Sequence, residues 1–173
     1  MKGATMNVLV VYQSNTGFTA QYAEWIAQAL GGEAKPLKQV TASEISAAGM
    51  VIYGGWIFGN MISGLNKMTG RGCKPAAVFA VGATPANDRI SQAITETNKL
   101  GDTPFFYLEG GFRTDKLSFF QKILLKMVKK MAAQKENKTE QDLFMEQTLG
   151  TSFNRSDKKT IEPLVTYCKG LNG

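Results

Sequence analysis

The sequence predicts an α/β fold: a doubly wound, five-stranded parallel sheet with helices on both faces. Three observations carry this expectation. Short apolar runs alternate with amphipathic runs of helical period from Met6 to Leu108, the order expected of successive βαβ units. The apolar runs are continuous instead of alternating with polar residues, as in strands covered on both sides. The chain of 173 residues suits one domain with a full core. Right-handed crossovers then distribute the helices over both faces of the sheet.

Met6–Tyr12 reads as the first strand. Ser14–Thr19 turns the chain into a helix over Gly17–Leu30, in which Tyr22, Ala23, Ile26, Ala27 and Leu30 recur at helical spacing. Gly31–Gly32 supplies the backbone freedom of a C-cap. A short strand over Glu33–Leu37, a helix start at Thr41 or Ser43, and a buried strand over Met50–Gly54 follow. Gly54–Gly72 reads as a glycine-rich loop leading into a weak helix, and Pro75–Gly82 as the next buried strand. Asn87–Leu100 is expected to be helical, and Thr103–Leu108 to be the last strand, closed by Glu109-Gly110-Gly111. Lys116–Met131 has the pattern of one long helix. Leu117, Phe120, Leu124, Met127, Val128 and Met131 share a face, and Lys122, Lys126, Lys129 and Lys130 gather on the other. The polar stretch Gln134–Gln141 separates it from a final helix near Thr160–Leu171, with Pro163 placed in the first turn, where proline is tolerated. The chain reads as a single domain, 1–173, with an appended helical segment over 116–150 and a disordered leader at Met1–Thr5.

Composition removes several chemistries. Histidine is absent, which takes away the commonest general base and metal ligand. Cys73 and Cys168 form no CxxC motif, so both are expected to be structural thiols. No apolar run approaches the ~20 residues of a membrane-spanning helix, and the start lacks the pattern of a signal peptide. A cytoplasmic protein is therefore expected. The net charge is +6, with many of the lysines between Lys116 and Lys138.

The segment Ser14-Asn15-Thr16-Gly17-Phe18-Thr19 carries no charge. Between a buried strand and a helix, such a turn presents unpaired N–H groups at the positive end of the helix dipole, where phosphate binds. The hydroxyls of Ser14, Thr16 and Thr19 add neutral donors, and Asn15 and Gly17 let the backbone curl around an anion. A Walker loop needs GxxxxGK[ST] and a dinucleotide fingerprint needs GxGxxG; the turn has neither. Holding a phosphate by dipoles and hydroxyls alone suits a tightly bound monophosphate. A turn that merely caps its helix is the competing reading. With the strand before them, VVYQ, these residues resemble the FMN-phosphate loop of the flavodoxin family, and the likeness extends in element order over most of the chain. It implies a flavodoxin-like sheet of order 2-1-3-4-5, with FMN at the point where the strand order reverses.

The same resemblance implies roles for the later loops. In GGWIFGN, Trp56 would stack on the flavin, with Phe58 as second choice; an indole gives large contact area and disfavours the electron-rich reduced ring. Gly55, Gly59 and Asn60 would let backbone amides approach the ring edge. Gly82, Ala83 and Thr84 would contact its pyrimidine end. The Gly82–Asp88 loop lacks the tyrosine that many flavodoxins place there. One flavin face is then open to a substrate or partner, or is covered by Pro85 or Phe112.

The stretch LEGGFRTDKLSFFQKILLKMVKKM resembles one subgroup, the menaquinone-dependent protoporphyrinogen dehydrogenases. There too a glycine and a basic residue precede an amphipathic, Met- and Lys-rich helix, although Ala132–Ala133 stands where that subgroup often has Gly-Gly. The resemblance implies an FMN-dependent oxidoreductase passing electrons to a quinone or similar acceptor, with Arg113 and Lys116 attracting an acidic substrate such as a carboxylated porphyrin. The lysine helix either packs on the domain with its charges in water or lies at the inner face of a membrane, where anionic head groups attract each lysine by about 1 kcal/mol. Two other functions fit the same residues: an electron carrier between redox partner proteins, and a flavin-free interaction module. Nucleic acid is not expected, because no recognition motif accompanies the lysine stripe.

Overall fold

Four consecutive apolar residues, Val8 to Val11, form the centre of strand β1 (Val8–Gln13), and all four are buried. The structure, a computed structural model, describes residues 6–148 and 150–171; the leader expected at Met1–Thr5 lies outside the described residues. Strands β2 (Glu33–Pro36) and β3 (Met50–Phe58) pair with β1 on either side, both parallel to it. The short β4 (Met61–Ile62) folds back on β3 as an antiparallel hairpin, and β5 (Ala77–Gly82) and β6 (Phe105–Glu109) complete the parallel sheet. The order is β2-β1-β3-β5-β6. With the hairpin strand set aside, this is the doubly wound 2-1-3-4-5 order expected from the sequence.

Alternate strand residues serve two cores. Val8, Val10, Ile52 and Phe79 pack with Tyr22 and Ile26 of helix α1 (Phe18–Leu30) on one face of the sheet. Leu9, Val11, Tyr53 and Ala80 pack on the other face with Leu37, Ile45 of α2 (Ala42–Ala47), Met68 of α3 (Leu65–Thr69) and Ile94 of α4 (Asp88–Thr97). Burial of apolar side chains on both faces is what makes continuous apolar strands stable. Cys168 lies in the first core, where burial pushes its thiol up to about 11; Cys73 is half-buried and also raised by burial. Both cysteines are free.

The first core is closed by α7 (Glu162–Gly170), with Pro163 in its first turn, through Leu164, Val165 and Cys168. Tyr22, fully buried, ties this corner together. Its hydroxyl donates to the Glu109 carbonyl at 2.6 Å and accepts from the Asp157 N–H at 3.0 Å. Tyr22→Phe strips both backbone groups of this partner and is expected to cost about 1–3 kcal/mol. A lowered midpoint in urea denaturation checks this, and an unchanged midpoint refutes it.

Three regions depart from the sequence expectation. β3 continues four residues past Gly54, so Trp56 and Phe58 stand on a strand and its hairpin instead of in a loop. The segment after β6 forms β7 (Gly111–Phe112), which pairs antiparallel with β8 (Phe153–Asn154). Between them lie α5 (Phe119–Ala133) and α6 (Glu140–Thr148). A capping box of Ser118 and Gln121 fixes the start of α5. The apolar face of α5 singled out from the sequence divides: Phe120, Met127 and Met131 are exposed, Leu124 is exposed yet reaches the cleft described below, and Val128 turns inward with Gln121, Leu125 and Ala132.

Candidate functional site

In an open doubly wound sheet, ligands bind beyond the carboxyl ends of the strands, where the strand order reverses. Here that point lies between β1 and β3, and a cleft of about 450 Å³ opens at this end of the sheet. Its floor is the β1–α1 turn. Gly17 adopts φ 98°, a left-handed conformation open to glycine, and α1 begins directly after it without a side-chain cap or an acidic residue in its first turn. Ser14 Oγ instead accepts from the Gly17 N–H at 3.2 Å, which holds the turn and leaves the hydroxyl proton available. Among the described residues, the amides of Asn15, Thr16, Phe18 and Thr19 have no acceptor, and neither the Thr16 nor the Thr19 hydroxyl makes a hydrogen bond. A turn that existed to cap its helix would consume these donors. This one leaves them without partners among the described residues.

One wall is the β3–β4 hairpin. Gly59 and Asn60, with φ of 55° and 65°, form its two-residue turn, where positive φ is needed at both positions. Asn98, at the end of α4, braces it by donating to the Asn60 carbonyl at 2.7 Å and accepting from the Ile62 N–H at 2.9 Å. Trp56 and Phe58 meet edge to face with ring centres 6.3 Å apart. Trp56 is half-buried and Phe58 exposed.

The second wall is the loop after β5. Tyr107 of β6 donates to the Thr84 carbonyl at 2.6 Å, and Glu109 Oε1 accepts from the Ala86 N–H at 2.8 Å. Burial, reinforced by the charge of Glu109, raises the Tyr107 pKa, so the phenol stays a hydrogen-bond donor. A side chain at Gly82 would meet the Tyr107 hydroxyl at 2.3 Å, so this position admits only hydrogen.

The far wall is the appended segment. Leu124, Leu125 and Val128 of α5, Phe144 of α6, Phe112 and Phe153 line the cleft. Gln121 Nε2 donates to Asn15 Oδ1 at 3.1 Å. That bond occupies the amide oxygen of Asn15 and leaves its NH₂ group, two donors, for a ligand.

Of the residues singled out from the sequence, Asn15, Thr16, Phe18, Thr19, Trp56, Phe58, Gly59, Asn60, Gly82, Ala83 and Thr84 all line this one cleft. Ser14, Gly17 and Gly55 do not. The first two shape the turn through the Gly17 N–H to Ser14 Oγ bond, and Gly55 is buried under the hairpin, where a side chain would meet the Ser63 carbonyl at 2.5 Å. Phe112 reaches the cleft and Pro85 does not. Sequence reasoning missed Tyr107, Asn98 and Gln121. Tyr107 and Asn98 act through partners distant in the chain, and Gln121, whose local signal is only the capping box with Ser118, reaches Asn15 across more than a hundred residues. Among the described residues, no cluster of three or more His, Cys, Asp or Glu side chains could hold a metal ion.

The flavodoxin domain family model matches residues 9–139 of the chain. Solved structures with a similar course include a flavodoxin from the domain Archaea, at 18% identity, 60% coverage of this chain, 83% of that one and a TM-score of 0.45. Flavodoxin 2 from Bacillus cereus shows 17% identity over 60% of this chain and 85% of its own, with a TM-score of 0.41. No curated protein sequence matches the chain.

Proposed function

This chain belongs to the flavodoxin domain family, and on that premise we propose that it binds FMN in the cleft and works as an FMN-dependent oxidoreductase, passing electrons to a quinone or a similar apolar acceptor. The observation that carries the reading is the set of unspent donors at the start of α1: four amides without acceptors, with the Thr16 and Thr19 hydroxyls beside them. They fit a phosphate monoester in chemistry and in number. FMN, when bound, supplies reversible electron transfer at its ring system.

The chain's own residues position and shield. Ser14–Thr19 hold the phosphate. Trp56 would offer an aromatic face to the ring, and Gly59, Asn60, Gly82, Ala83 and Thr84, which line the same cleft, would let backbone approach its edges. Tyr107 and Glu109 brace the second of these loops, and Asn98 the first. The apolar wall from α5 and α6, with Phe112 and Phe153, keeps water from that side of the cleft and suits an apolar ring as electron acceptor. With no histidine in the chain, protons exchange with solvent at the open mouth.

The acceptor is best sought in a membrane. Phe119 is 73% exposed, Phe120 81%, Met127 57% and Met131 66%, so α5 presents an apolar stripe to solvent. Lys122, Lys126, Lys129 and Lys130 run along one border of that stripe at helical spacing. An apolar stripe beside lysines fits the interface of an anionic bilayer. Among the described residues, no helix is long and apolar enough to cross a membrane, so the contact is peripheral, at the inner face in a cytoplasmic protein. This stripe over the cleft supports the protoporphyrinogen dehydrogenase-like subgroup and disfavours a carrier between water-soluble proteins, which would need no such surface.

The test is the visible absorption spectrum of the purified chain, with the released cofactor identified by chromatography. Bound FMN is expected. A colourless protein that also fails to take up added FMN overturns the reading, and reduction of protein acceptors without turnover of any quinone restores the carrier.

A further inference from the structure

The phosphate turn contains no cation, yet the segment after β6 brings one to it. We propose that Arg113 is a phosphate ligand of the cofactor and the residue that selects FMN over its dephosphorylated form, riboflavin; the proposal rests on the FMN reading above. The Arg113 guanidinium lies over the Phe18 ring, 4.7 Å from its centre. Its Nη1 is 3.7 Å from where a side-chain carbon on Gly17 would stand. The charge therefore sits against the same two residues that open α1.

Its position is fixed by the fold. Phe18 is buried, and Gly110 and Gly111 lie against it so closely that a Cβ on Gly111 would be 2.7 Å from the ring. Arg113 follows β7, which is pinned by its pairing with β8. Directly after it, Thr114 N–H donates to Ser152 Oγ at 3.2 Å, and the Thr114 and Ser152 hydroxyls are 2.9 Å apart. The strap that leads from β6 to α5 is thereby held against the start of α1 by Arg113 on Phe18, and against the turn by Gln121 on Asn15.

The guanidinium is also unspent. Among the described residues it makes no salt bridge and no hydrogen bond, and its one partner there is the Phe18 ring. A cation–π contact holds the plane of the group but uses none of its five N–H donors. Those donors form a fork matched to phosphate oxygens. The amides and hydroxyls of the turn supply neutral donors and a helix dipole of about half a charge, whereas an FMN phosphate brings nearly two negative charges near neutral pH. Arg113 supplies the full positive charge that the turn lacks.

The experiment titrates FMN and riboflavin separately into the full-length chain freed of flavin, for the wild type, Arg113→Ala and Arg113→Lys. Riboflavin carries the same ring without the phosphate, so it reports packing alone. For Arg113→Ala, FMN affinity is expected to fall about 10- to 100-fold, with riboflavin affinity essentially unchanged and a shallower salt dependence of FMN binding. Arg113→Lys should recover part of the loss, since it keeps the charge and loses the fork. Unchanged FMN affinity, or an equal loss for FMN and riboflavin, overturns the proposal and leaves Arg113 a packing residue on Phe18. A wild-type chain that binds neither ligand overturns the FMN reading itself, and this proposal with it.

Discussion

Thr16→Asp is expected to abolish FMN binding while leaving the fold intact or slightly more stable. Thr16 lines the cleft, and neither its amide nor its hydroxyl has a partner among the described residues. An aspartate there adds a carboxylate where the phosphate would bind. Two like charges about 4 Å apart at an effective dielectric constant near 20 repel by roughly 4 kcal/mol, which is about a thousandfold in Kd. The same carboxylate would satisfy first-turn amides of α1 and complement its dipole, both of which stabilise a helix. Affinity and stability should therefore move in opposite directions, a pattern that simple damage to the domain cannot produce. FMN and riboflavin titrations beside a thermal melt provide the readout. FMN affinity within tenfold of wild type would place the phosphate elsewhere.

The strongest part of the site was also the most legible. From Val8 to Leu30 the information is local: a buried strand, a polar turn with one glycine, and a helix whose apolar spacing leaves a single inward face. The hairpin of β3 and β4 was legible in principle. Phe58-Gly59-Asn60-Met61 carries a two-residue turn signal between apolar residues, but several nearby glycines made the whole stretch resemble a loop. Helix α6 likewise had a start signal, since Thr139 and Asp142 cap each other's backbone, with Lys135 and Lys138 reaching Asp142 and Glu146 at 2.8 and 2.6 Å. The face chosen by α5 was not legible. Apolar residues cover most of its circumference outside the lysine border, so periodicity cannot say which third turns inward. That choice is made by the cleft beneath, through Gln121 on Asn15 and the Leu125 and Val128 side chains. The pairing of β7 with β8 joins residues some forty positions apart, and neither two-residue strand carries a strand signature of its own.

The consequence of that inward choice is the second large effect. Replacing Phe119 and Phe120 together by aspartate is expected to eliminate binding to vesicles of phosphatidylcholine and phosphatidylglycerol, and with it the reduction of a membrane-dissolved quinone. Neither residue lines the cleft, and both rings are largely exposed in the first turn of α5. FMN content and the reduction of a water-soluble acceptor should therefore stay at wild-type levels. Burying one phenylalanine contributes about 1.5–3 kcal/mol, so losing two, with negative charge added before an anionic surface, should weaken vesicle binding by more than about a hundredfold. Salt separates the two contributions. Screening weakens the lysine attraction at high ionic strength but leaves the aromatic anchor, so wild-type binding should fall in salt without vanishing, whereas the double variant should bind at neither ionic strength. A wild-type chain that ignores anionic vesicles at low salt would sink the membrane reading, as would a double variant that binds them equally well. The exposed stripe would then be free to meet a protein, and the electron carrier would become the better account of the same cleft.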